Sequence, residues 1–188
     1  TDLIEDLPIK FTAVAADIAA EKEHWFQSGP IDQAIRASVS LPLFFAPYNV
    51  GGVQLIDGGI LNPTPIEPTL GDDTDLTLAV DLGGPMMKEA IPEPEKAQSP
   101  WQQKMDDFLD SMKSSESKPK DQWDMFYIAD QSFNTMQNAI ARIRMADNPP
   151  DHLISVPRNK CGTLEFDRSA EMIEYGYRLA AEQLSSKI

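Results

Sequence analysis

The run Leu76 to Leu82 (LTLAVDL), ending around Asp81 and followed by Gly83-Gly84-Pro85, most limits what this chain can form. A short apolar run closed by glycine and proline predicts a buried strand. Lys10 to Ile18 carries a second such run (Phe11, Ala13, Val14, Ala15, Ala16) ended by Asp17, and predicts an inner strand of a mostly parallel sheet. Glu23 to Gln27, centred on Trp25 and Phe26 and broken by Ser28-Gly29-Pro30, predicts another. Val53 to Ile56 and Leu153 to Val156 read as shorter strands, the former set between the Gly51-Gly52 turn and the sharp turn Asp57-Gly58-Gly59.

Helical spacing alternates with these strands. Ile31, Ala34, Ile35 and Ala37 repeat as one helix face does, and Leu41-Pro42 stops it. Trp101 to Met112, Asp121 to Met145 and Asp167 to Leu184 are further predicted helices, the last with Asp167 or Ser169 near its cap. Met86 to Pro100, rich in Pro, Glu and Lys, predicts a mobile loop, and Ser114 to Lys120 a polar break. Strands interleaved with helices give an α/β layered fold. Because the long helices gather after Pro100, the expected whole is the second half of a larger sheet domain. Residues 1–85 are the core segment, 86–120 a loop and helical insertion, and 121–188 the last helices and strand.

Sixteen basic residues against thirty acidic give a formal charge of -14, which repels phosphate backbones and argues against a nucleic acid partner. No apolar run reaches transmembrane length. The acidic opening Thr1-Asp2-Leu3-Ile4-Glu5-Asp6 does not form a signal peptide, and the start on Thr1 suggests a truncated or processed product. One cysteine, Cys161, excludes an internal disulfide and a thiolate metal cluster, and leaves the compartment open with a reducing, cytoplasmic one favoured.

The chemistry concentrates between Ala34 and Pro65. Asp57 follows a short strand and precedes two glycines, which turn the backbone tightly and leave the carboxylate projecting from a strand end. A carboxylate so placed can take a proton from a serine hydroxyl or orient a base that does. The same residues also suit an ordinary turn. Arg36, on the preceding helix, is placed either to orient the Asp57 loop or to make an ion pair, while Asn62 and Pro63 fix the turn beyond it. Asn62, Leu41 and Phe44 are candidate cleft-lining residues; Asp17 and Asp81, also at strand ends, are weaker candidates. His24 and His152 are too isolated for a metal pair or a triad base.

In consistent order, IKFTAVAADI, WFQSGPIDQAIRASVSLPLFFAPY, LIDGGILNPTPIEP and LTLAVDLGG resemble the bacterial patatin-like phospholipase family, and the tail from Met136 resembles it as well. The resemblance implies a three-layer α/β/α sandwich. It also implies lipid-ester hydrolysis by a Ser-Asp dyad through an acyl-serine, with no metal or organic cofactor. In that family the Asp of the Asp-Gly-Gly or Asp-Gly-Ala motif is the general base, which falls on Asp57, with Gly58 and Gly59 shaping its turn. The family's nucleophile sits in Gly-x-Ser-x-Gly after a glycine-rich oxyanion loop, and neither motif occurs in these residues. The chain is therefore expected to be inactive until the preceding part of its protein completes it. Transient membrane contact and self-association of a half-domain are further expectations. Two other readings stand beside this one: a non-catalytic interaction module on the same scaffold, and a small esterase using Ser38 or Ser40.

Overall fold

The computed structural model describes residues 2–42, 44–87, 125–162 and 165–185. The chain divides into two compact units, Thr1–Asp81 with Gln131–Leu153, and Leu82–Asp130 with Ile154–Ile188. In the first, strands β1 (Ala13–Asp17), β2 (Lys22–Phe26), β3 (Tyr48–Val50) and β4 (Val53–Asp57) form one sheet in the order β2-β1-β4-β3, with helix α1 (Ile31–Ser38) packed on it.

This sheet corrects the expectation of mostly parallel strands. β1 pairs antiparallel with β2 (Ala15 opposite His24) and with β4 (Ala15 opposite Asp57), and β3 pairs antiparallel with β4. Short connections impose this for the two hairpins, since a parallel neighbour needs a crossover of a dozen or more residues. Between β3 and β4 only Gly51 and Gly52 intervene, at φ 58° and 92°. Positive φ at both central residues is the turn that matches strand twist. Between β1 and β2, the Asp17 carboxylate accepts the Ala19 and Ala20 N–H groups, each at 3.0 Å, and Glu21 takes φ 53°.

β1 is an inner strand, as its sequence predicts, and its first four residues are all buried. Ala13 and Ala15 share the face of Leu55, where Ala34 and Ala37 of α1 close the core with Ile4 and Phe26. Four alanines let helix and sheet approach closely. Val14, Ala16 and Ile56, on the other face, are buried too, which is why the run reads as continuously apolar rather than alternating. Leu55 is fully buried at the centre. Leu55→Ala is expected to lower stability by about 2–5 kcal/mol, read as a lower urea midpoint at unchanged slope.

A second sheet joins β5 (Leu78–Gly84) to β6 (His152–Pro157). Its ladder advances in one sense, from His152 N–H on the Thr77 carbonyl to Arg158 N–H on that of Gly84, so this pair is parallel. The expected buried strand is here half-covered: Ala79 is buried, whereas Leu78, Val80 and Leu82 are exposed. Leu76, Leu78, Val80 and Leu82 share one parity and Thr77, Ala79 and Asp81 the other. It is the more apolar parity that is exposed, so the alternation alone does not say which face a neighbour covers. The long helix appears as α2 (Met125–Asp147) and the closing helix as α3 (Ser169–Ser185). The predicted helix Trp101–Met112, the polar break at 114–120 and nearly all of the loop after Met86 lie outside the described residues.

Candidate active site

Asp57 ends β4 and starts a 3-10 turn over Gly58–Ile60. Its Oδ1 accepts the Gly59 N–H at 2.7 Å, and its own N–H donates to the Ser40 carbonyl at 3.0 Å. Gly58 is required by close approach: a Cβ there would lie 2.4 Å from the Val14 carbonyl oxygen of β1. At Gly59 a Cβ would meet only side-chain ends, Asp57 Oδ1 and Gln137 Nε2, each at 3.0 Å. The turn thus needs glycine absolutely at its first position and less strictly at its second.

The carboxylate lines a cleft of about 340 Å³ between the end of α1 (Ile35, Ser38, Val39), the start of β1 and the loop through Asn62. Burial raises the Asp57 pKa above the usual aspartate value, against the Gly59 hydrogen bond, which lowers it. The group is a stronger base than a solvated aspartate, yet it is held in one orientation.

Two supports fix this loop. From the α1 side, Arg36 donates to the Ser40 hydroxyl at 2.8 Å, and that hydroxyl donates to the Arg36 carbonyl at 2.8 Å. The guanidinium lies 5.2 Å from the Phe45 ring centre and 5.9 Å from that of Tyr48. Arg36 thus reaches Ser40, whose carbonyl accepts the Asp57 N–H, and among the described residues it makes no ion pair.

The second support was not legible in the sequence. Asn62, 2% exposed, gives its N–H to the Gly58 carbonyl at 2.9 Å. Its side-chain amide donates to Glu67 at 2.9 Å and to Glu23 at 3.3 Å and 3.4 Å. Arg144 of α2 then spans both carboxylates, at 3.1 Å to Glu67 and 2.9 Å to Glu23. Burial raises the Glu67 pKa, but the Asn62 amide and the Arg144 charge outweigh it and hold the carboxyl below its usual range.

Of the predicted lining residues, Asn62 meets the catalytic candidate Asp57 at this cleft, whereas Leu41 and Phe44 are not among the residues that line it. Asp17 caps the β1–β2 turn and Asp81 lies within β5. Ser38 does line the cleft, but among the described residues its hydroxyl makes no hydrogen bond with Asp57. Ser40 is fully buried with its hydroxyl committed to Arg36.

The stretch carrying β1 to β4, α1 and the Asp57 turn can be compared with known families. Residues 5–70 match the Patatin family, described as patatin-like phospholipase. An NTE-family protein of Mycobacterium tuberculosis is 33% identical over an alignment covering 97% of this chain and 65% of the relative. A Mycobacterium bovis NTE-family protein matches equally well. The lysophospholipase NTE1 of Pyricularia oryzae is 25% identical over 96% of this chain and 12% of its own length. The chain thus spans 65% of the length of the mycobacterial relatives. The stretch of residues 5–70 is similar to proteins described as patatin-like phospholipases, and nearly the whole chain is similar to NTE-family proteins. The patatin match takes in Asp57, Asn62, Glu23 and Glu67, while Arg144 lies beyond it.

Proposed function

We propose that this chain is part of a patatin-like lipid acyl hydrolase and supplies the proton-transfer partner of a serine that lies outside its 188 residues. One observation carries the reading: a partly buried carboxylate with raised proton affinity, fixed by a backbone N–H at the end of a strand and opening on a cleft.

In this reading the serine oxygen attacks the ester carbonyl while its proton passes to Asp57. The tetrahedral adduct collapses, the C–O bond to the alcohol breaks, and Asp57 returns the proton to the departing alkoxide. Water then attacks the acyl-serine, losing its proton to Asp57, and the serine recovers that proton as the fatty acid leaves. No redox change occurs, and Asp57 ends as it began. A base working near neutral pH benefits from the raised pKa, because the proton must be both taken and given back. The sheet and helices here form part of a three-layer α/β/α domain, completed by the remainder of the native protein, and the substrate is reached at a lipid surface by transient contact.

Release of fatty acid from lysophospholipid micelles tests the reading. The native gene product is expected to release it and the isolated 188-residue chain is not; turnover by the isolated chain would place the nucleophile within it.

A further inference from the structure

Resting on the hydrolase reading above, we infer that Arg144 is a positioning residue for Asp57, acting through Glu23, Glu67 and Asn62. The guanidinium is the cation that two carboxylates share, and the same two carboxylates receive the Asn62 amide N–H groups. With Arg144 present, the carboxylates are drawn to one place and fix the donor side of that amide. Without it, two like charges face each other across Asn62, and one must move away or take up a proton.

The Asn62 amide carries its own sign of external constraint. Its Oδ1 is buried and has no hydrogen-bond partner among the described residues. An amide free to choose would turn to satisfy that oxygen, so its orientation is imposed by the carboxylates that hold its nitrogen. Through its backbone N–H, Asn62 grips the Gly58 carbonyl, one residue from Asp57. Gln137 stands two turns before Arg144 on α2, and its amide comes against Gly59. Residues seven apart share a helix face, so α2 braces the Asp57 turn at two points.

Glu23 and Arg144 are 121 positions apart in sequence. The link therefore couples the geometry of the turn to the correct seating of a distant helix. It needs a fork: one guanidinium places two nitrogens on two carboxylates, which an ammonium cannot reproduce.

The test uses the full-length native protein, with lysophospholipid hydrolysis and the rate of labelling by a fluorophosphonate as readouts, well below the unfolding temperature. Arg144→Met is expected to lower kcat about 10- to 100-fold, because small displacements of a reacting group cost that much, with KM changed less than about threefold. Labelling should slow in parallel. Arg144→Lys should fall between the two, about three- to tenfold down, and it carries the test if Arg144→Met does not fold. A folded Arg144→Met, or failing that Arg144→Lys, with wild-type kcat and labelling would overturn the positioning role while leaving the hydrolase reading intact. A wild-type protein that neither hydrolyses nor labels would overturn both.

Discussion

Asp57→Asn removes hydrolysis and stabilises the protein at neutral pH. The substitution keeps the side-chain oxygen that accepts the Gly59 N–H, so the turn retains its shape while losing its base. Loss of a general base that also returns the proton should lower kcat by roughly 10³- to 10⁴-fold in the native protein. The stability effect has the opposite sign. Burial holds the folded-state pKa of Asp57 above the unfolded value. The folded state therefore binds the proton more tightly, and stability present below the unfolded pKa is lost as pH rises through the folded pKa. Asparagine does not ionise and escapes that loss. The midpoint difference, Asp57→Asn minus wild type, should thus be more positive at about pH 8 than at about pH 4 in thermal unfolding. A difference independent of pH would show that the carboxylate carries no ionisation penalty in the fold.

Gly58→Ala is expected to be the most damaging small substitution in the loop. The added carbon would stand 2.4 Å from the carbonyl oxygen and 2.7 Å from the carbonyl carbon of Val14. Those atoms belong to β1, which is paired on both sides with β2 and β4 and is buried on both faces. Neither partner can give way, so the turn must shift, at a cost of about 3 kcal/mol or more. Gly59→Ala meets only the ends of Asp57 and Gln137, which can rotate, and should cost about 1 kcal/mol. Urea unfolding of the pair measures both. Equal, small losses would mean that β1 and the turn are not in the close contact described here.

What the sequence disclosed is what is local. β1, β4 and α1 follow from runs and spacings of a few residues, and Asp57 stands out because a strand, a carboxylate and two glycines are contiguous. Strand direction is different, because an apolar run has no sense. The antiparallel pairing of β1 with β4 depends on where the chain travels between Asp17 and Val53, not on either strand's residues. The half-exposure of β5 was hidden for a different reason. LTLAVDL alternates, and the structure exposes its more apolar set, Leu76, Leu78, Val80 and Leu82, because the neighbours of a strand, not its own residues, decide which side is covered. Leu41 and Phe44 were expected at the cleft on chain proximity to Asp57, whereas the cleft is built from Ile35, Ser38 and Val39 of the preceding turn. The Glu23, Glu67 and Arg144 network had no local signature. Each member is an ordinary charged residue, and only the fold brings them to one amide.

The most direct test of the central claim is to treat the intact native gene product with a fluorophosphonate and map the labelled serine. The expected result is one labelled serine outside these 188 residues, with labelling strongly slowed by Asp57→Asn. Label on Ser38 would place the nucleophile within the chain. No label at all would leave the Asp57 cleft without a serine to serve, and would favour a non-catalytic interaction module built on the same scaffold.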